Sequence, residues 1–183
     1  MKGCRTLTKS EISEILNTLS QRDKVLVLTG LTYGTRISET LSLTFGDVSG
    51  KILNINSLKG SENASFPIPS QYADEIGKLR AEYESNGIEV KSDTHLLLSR
   101  KGDNQSITRI QASRIIESTC EKLGIDGKVN THSFRKTFVT AIYEKSNFNL
   151  ALTKKYSRHK SLSNLDYYIN TTSELDLVNN LTW

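Results

Sequence analysis

His132 and Arg135 stand three positions apart in THSFRKTF, and on a helix that spacing places an imidazole and a guanidinium on one face. Downstream, SRHKS carries His159, and Tyr168 follows nine positions later within NLDYYIN. Upstream, Arg36 sits in TYGTRISE directly after a Gly-Thr pair, and Lys59 lies in LKGSENA between two short segments of strand-like pattern. Taken singly, each has an ordinary explanation. Arg36 could cap a helix or make a salt bridge, Lys59 could be a loop lysine, the histidines could be partly buried, and the tyrosines could be amphipathic packing residues. Taken together, in this order, they suit attack by a phenol on a phosphodiester. Two guanidiniums, Arg36 and Arg135, can clamp the non-bridging oxygens, and their planar forks meet charge that grows in the transition state. A tyrosine hydroxyl, with an ordinary pKa near 10, needs a proton acceptor and a screened phosphate before it attacks at neutral pH. His132 is the expected acceptor, and His159 the expected donor to a non-bridging oxygen. Lys59, on a loop able to swing in, suits protonation of the leaving 5′ alkoxide. No carboxylate cluster of the kind that holds paired magnesium ions accompanies these residues, so the expected chemistry needs neither metal nor cofactor.

Several helices must position this set. Thr8-x-x-Glu11 is a capping box that opens a helix over Thr8 to Leu19, with Ile12, Ile15, Leu16 and Leu19 at helical spacing. The apolar run Asp23 to Thr32 is too long for most strands and reads as a buried helix, with Gly34 permitting a break before Arg36. In the short helix that follows, Ile37, Leu41 and Leu43 can face the core, while Arg36, Glu39 and Thr40 need not. Glu39 reads as a buttress for nearby basic groups rather than an acid catalyst. Lys51 to Ser57 and Ser65 to Pro69 read as two strands, and Pro67 and Pro69, which cannot donate to a ladder, imply an edge. Further helices are expected over Ser70 to Asn86, with Tyr72, Ile76, Leu79 and Tyr83 inward, over Ser106 to Leu123, over Ser133 to Lys145 and over Asn149 to Arg158. An amphipathic tail spans Ser173 to Thr182.

A chain of 183 residues with 36% hydrophobic content can bury one sizeable core and is expected to form a single domain over residues 1–183. Its 24 basic and 20 acidic residues leave a net charge of +4, which permits a polyanionic partner without requiring one. Cys4 and Cys120 form no Cys-x-x-Cys and no metal-ligand cluster, and Cys120 reads as a small buried apolar residue. The segment MKGCRTLTKSEISE has no apolar signal region, and no run approaches the roughly 18 apolar residues of a membrane span. The expectation is a cytoplasmic protein without a membrane partner.

The segments TGLTYGTRISETLSLTFGDV, LKGSENASFPIP, THSFRKTF and SRHKSLSNLDYYIN resemble the catalytic domain of tyrosine recombinases, the phage integrase family, from about Leu7 to Asn170. The six positions of that family's active site have matching residues in order: Arg36, Lys59, His132, Arg135, His159 and Tyr168. The resemblance implies a mainly α fold with a small antiparallel β-sheet and a site-specific recombinase. Tyr168 would become joined to a 3′ phosphate while a 5′ hydroxyl departs, and a second 5′ hydroxyl would attack next, so no ATP is needed. It further implies double-stranded DNA as partner and a homo-oligomer, a tetramer on two DNA sites, when synapsed. The spacing from His159 selects Tyr168 over Tyr167, since neighbouring side chains on a helix diverge by about 100°.

Three departures from the family stand out. Ser157-Arg158-His159 replaces the usual Leu-Gly-His, which changes how that helix ends. Ser61, Glu62 and Asn63 replace basic residues after the lysine. The resemblance finds no match for the family's N-terminal core-binding domain in these 183 residues, and the expectation is either an excised catalytic fragment or a one-domain recombinase. The tail over residues 173–183, ending at Trp183, is expected to dock either in trans on a neighbouring protomer or on its own core. Rival readings are a type IB topoisomerase, which reseals the same strand, and a catalytically silent DNA-binding protein of the same fold.

Overall fold

The computed structural model describes residues 3–56, 62–159, 161 and 165. The loop lysine Lys59, both Tyr167 and Tyr168, and the tail over 173–183 lie outside the described residues. The first helix, α1 (Lys9–Thr18), opens on the expected capping box, with the Thr8 side chain accepting from the Glu11 N–H and the Glu11 carboxylate accepting from Thr8. Ser20 caps α2 (Gln21–Tyr33), which ends at Gly34 in the left-handed region (φ 58°). A short α3 (Ile37–Ser42) follows at once. Strands β1 (Ile52–Ile55) and β2 (Ala64–Pro67) pair antiparallel, with Leu53 opposite Phe66 and Ile52 opposite Pro67. Pro67 ends the ladder in this two-stranded sheet, in keeping with its missing N–H. Four helices complete the described fold: α4 (Ser70–Ser85), α5 (Arg109–Lys122), α6 (Thr131–Lys145) and α7 (Leu150–Ser157). The architecture is mainly α with a small antiparallel sheet.

The core forms where the inward stripes of these helices meet the buried face of the sheet. Tyr72, Ile76, Leu79 and Tyr83 of α4 are buried as their spacing requires, and Ile15, Val25, Val27, Leu53, Ile55 and Ile116 join the same core. Cys120 is buried within it. No helix among the described residues is long and apolar enough to cross a membrane.

The contact that sets the functional geometry is α2 against α6. Gly30 and Gly34 lie four apart and face Phe134 and Phe138; a methyl group on Gly30 would sit 2.9 Å from Phe134 Cβ, and one on Gly34 would strike the Phe138 ring. Gly34 is therefore required twice, by its positive φ and by this close approach. The approach brings the Gly34 carbonyl within reach of Arg135 on α6.

Two expectations about local structure are corrected. Glu39 and Thr40, which the pattern left free to face away from the core, are buried, while Ile37 and Leu41, placed toward it, are only partly buried. Each polar residue has a buried partner: Thr40 Oγ1 lies 2.6 Å from Thr35 Oγ1, and Glu39 pairs with Arg158. The helix expected from Ser133 starts at Thr131, because the Asn130 side chain accepts from the His132 N–H and caps it there. His132 is thus on the first turn of α6, on the same helix as Arg135.

Candidate active site

Three chain segments converge at the C-terminal end of α2. The turn after Gly34 delivers Arg36, the first half of α6 delivers His132 and Arg135, and the end of α7 delivers Ser157, Arg158 and His159. Arg135 lies at the centre and is only 1% exposed. Its Nη1 donates to the Gly34 carbonyl, and its Nη2 donates to the Ser157 carbonyl at 2.7 Å and lies 3.2 Å from His159 Nε2. A buried guanidinium carries a large desolvation cost unless its donors are satisfied. Here those bonds orient the planar fork and tie α2, α6 and α7 together.

His159 is 6% exposed, and its tautomer follows from its neighbours. Ser157 Oγ lies 2.8 Å from His159 Nδ1 and 3.2 Å from the Lys154 carbonyl oxygen. The carbonyl can only accept, so the serine hydroxyl donates to it and Nδ1–H donates to Oγ. Nε2 is then the acceptor of the Arg135 N–H. To donate from Nε2 to a phosphate oxygen, the ring must take the other tautomer, with Ser157 Oγ–H turned toward Nδ1. The sequence marked Ser157 only as part of an altered helix end, not as a partner of His159.

Arg36 precedes the first residue of α3, and its side chain is 29% exposed. Its backbone N–H donates to Glu39 Oε2 at 2.8 Å, while its Nη1 lies 3.6 Å from Glu39 Oε1 and makes no hydrogen bond among the described residues. The side chain is thereby anchored at its base and has a donor suited to an oxyanion. Both imidazoles sense the positive potential of this place. Burial, then the charges of Arg135 and Arg36, press His132 down to about 4, and the same causes in the same order press His159 down to about 3. Arg36, His132, Arg135 and His159 are thus brought together, whereas Lys59 and Tyr168 lie outside the described residues. His95, the third histidine, bridges Thr44 and donates its backbone N–H to Asn104 Oδ1.

These depressed imidazoles have a consequence for stability. Histidine in the unfolded chain titrates near 6.5. Below that pH the unfolded state takes up protons that the folded state refuses, so stability falls as pH drops from about 6.5 and levels off only below the folded values of about 4 and 3. Between pH 7 and about 4.5 the expected loss is on the order of 2 kcal/mol from buried His159, with less from partly exposed His132, whose charge solvent screens. For a chain of this length that is about 4–8 °C in Tm. Glu11, held at about 2 chiefly by its hydrogen bond with Arg5, adds its own acid sensitivity only below its unfolded value of 4.5. Thermal melts at pH 7 and pH 4.5 check this: the H132Q/H159Q variant is expected to show the smaller drop, and an equal drop would refute the assignment.

Residues 5–174 match the model of the Phage integrase family. The chain belongs to the phage integrase family. Among relatives, it is 25% identical over 162 residues to tyrosine recombinase XerC of Pelotomaculum thermopropionicum, covering 85% of this chain and 52% of that one. It is 27% identical over 166 residues to tyrosine recombinase XerD of Corynebacterium glutamicum, covering 88% of this chain and 52% of the relative. The integrase-family chain described here thus spans about half the length of these relatives. Among solved structures, the XerA recombinase superposes with a TM-score of 0.78 at 19% identity, over 98% of this chain and 66% of that one. The catalytic domain of bacteriophage HP1 integrase gives 0.59 at 18% identity, over 97% of this chain and 95% of that one. The fold is therefore that of integrase-family catalytic domains.

Two further features at the site were only partly visible in the sequence. The unusual SRH segment signalled an altered helix end, but not that Arg158 would be buried at 1% exposure and paired with Glu39 at 2.8 Å. The Gly30–Gly34 pair was visible only as one break residue, because the phenylalanines that require both glycines lie about a hundred positions away on α6.

Proposed function

We propose that this domain is the catalytic part of a site-specific DNA recombinase that cuts and rejoins strands through a 3′-phosphotyrosine intermediate. The observation that carries the reading is the convergence of two guanidiniums and two imidazoles on one small region, where burial first and the guanidinium charges second depress both imidazoles. Such a region favours a bound phosphodiester, and its fixed dipoles need no rearrangement as charge develops on phosphorus. Membership of the phage integrase family supports it, as do relatives named as tyrosine recombinases. Solved structures of the same fold include XerH bound to its difH substrate, at a TM-score of 0.72 and 21% identity.

In this reading Arg36 and Arg135 hold the non-bridging oxygens and His159 orients the phosphate. Tyr168 Oη bonds to phosphorus as the bond from phosphorus to the 5′ oxygen breaks; the phenolic proton passes to His132, and Lys59 protonates the departing oxygen. With a pKa of about 4, His132 is a weak base in the free protein. The phosphate's negative charge offsets the neighbouring guanidiniums and returns the ring toward its ordinary value, so the base becomes competent when substrate is present. Rejoining is the reverse, with a 5′ hydroxyl from a second duplex as nucleophile. That exchange requires two duplex sites, and we assign a homotetramer to the synapsed state.

The test is incubation with a library of nicked duplex oligonucleotides, followed by denaturation and sequencing of the DNA that remains bound to protein. Enrichment of one sequence family, attached through its 3′ end, is the expected result. Recovery of no covalent adduct from any library member would overturn the proposal.

A further inference from the structure

Arg158 stands out among the described residues because its backbone and its side chain are both in unfavourable states. Its backbone lies in the left-handed region, φ 58° and ψ 34°, which a residue bearing a Cβ rarely adopts. Its guanidinium is 1% exposed, and Nε and Nη1 are buried with no hydrogen-bond partner among the described residues. A cation buried only for stability would be expected to have its donors satisfied, since a buried ion pair does little better than an apolar replacement. Among the described residues the side chain makes one short contact, Nη2 to Glu39 Oε2 at 2.8 Å.

That oxygen is shared. Glu39 Oε2 also accepts the Arg36 backbone N–H at 2.8 Å, and Oε1 lies 3.6 Å from Arg36 Nη1. A continuous path therefore runs from the end of α7, through a carboxylate that is itself 1% exposed, to the backbone and side chain of Arg36. The next residue along the chain from Arg158 is His159, whose ring meets Arg135. We propose that Arg158 is a positioning residue for the reaction proposed above: through Glu39 it fixes Arg36 relative to His159 and Arg135, so that the two guanidiniums and the imidazole address one phosphate. The inference rests on that functional reading for its catalytic consequence, but its geometric core, the restraint of Arg36, is separately measurable.

Arg158→Gly is the informative variant, because glycine keeps the left-handed turn without strain and removes only the side chain. Two readouts apply to the full chain. In single-turnover cleavage of a library-selected nicked duplex at saturating protein, the rate constant is expected to fall about 30-fold or more while DNA affinity changes less than about threefold, as for a group that organises the transition state rather than binding. Arg158→Lys, which restores the charge without the planar fork, is expected to recover part of the rate. Glu39→Gln is expected to lose a similar factor, and R158G/E39Q to be no slower than the slower single variant, because the two residues act as one unit. The second readout needs no DNA: the Arg36 amide is expected to exchange with deuterium about tenfold faster in Arg158→Gly than in the parent.

Unchanged exchange at Arg36 together with parental cleavage would overturn the inference, and so would additive losses in the double variant. If the parent chain forms no adduct, the recombinase reading fails, and amide exchange still decides whether Arg158 restrains Arg36. Should Arg158→Gly not fold, Arg158→Lys carries the same measurements, with partial loss supporting the role and parental behaviour in both overturning it.

Discussion

Replacing Tyr168 by phenylalanine is expected to abolish covalent attachment to DNA, lowering adduct formation by at least about 10⁴-fold, while non-covalent DNA binding stays within about threefold of the parent. The substitution removes one oxygen and leaves the ring, so the change is confined to the hydroxyl. What disappears is the one protein atom that the proposed mechanism bonds to phosphorus, and no arrangement of the surrounding bases replaces it. Tyr167→Phe is the matched control. The two tyrosines are adjacent, and on a helix their side chains diverge by about 100°, so one phosphate can face only one of them. Denaturing gels on a library-selected nicked duplex separate adduct from free protein, and gel shifts report binding. Adducts that persist in Tyr168→Phe and vanish in Tyr167→Phe would transfer the nucleophile to position 167. Loss of adducts in both would show that the segment's placement depends on both hydroxyls.

How much of this site could be read from residue order depends on how far apart its partners lie in the chain. Local devices were legible: the Thr8 and Glu11 capping box, the inward stripe of Tyr72, Ile76, Leu79 and Tyr83, and the left-handed break at Gly34 all sit where short-range spacing places them. The pairing of His132 with Arg135 on one helix was legible for the same reason, although its start at Thr131 depended on Asn130 acting as a cap. The face of α3 was not legible. Hydrophobicity ranks Glu39 as a surface residue, and its burial draws on Arg158, 119 positions later, which supplies the opposite charge. The fit of Gly30 to Phe134 is likewise a property of two helices in contact and of neither alone. Departures from helical patterning thus collect around the cluster of basic groups, where local preference yields to the needs of a site.

Arg135 is where folding and the proposed chemistry meet, and its substitution is expected to damage both by separable amounts. Arg135→Ala leaves the Gly34 and Ser157 carbonyls and His159 Nε2 without this donor in a buried place. Unsatisfied buried acceptors cost about 1–3 kcal/mol each, so a loss of about 4 kcal/mol is expected, a large part of the roughly 5–15 kcal/mol that holds a typical domain together. Arg135→Lys keeps the charge but offers a compact ammonium in place of a rigid fork, and one nitrogen cannot serve three acceptors spread across α2 and α7. About 2 kcal/mol of stability is therefore expected to go, leaving a folded protein in which chemistry can be measured. In that variant the cleavage rate constant is expected to fall about 10³-fold, the scale found when one preorganised donor to a developing oxyanion is removed. The loss should exceed any change in DNA affinity, because the fork matches the phosphate most closely as its equatorial oxygens gain charge. Chemical denaturation gives the first quantity and single-turnover cleavage well below the melting temperature gives the second. A folded Arg135→Lys that cleaves at the parental rate would leave Arg135 as a structural tie between α2, α6 and α7 and remove it from the reaction. Parental stability combined with lost cleavage would instead mean that the carbonyls of Gly34 and Ser157 find other donors, and that the buried fork is held in place for phosphate alone.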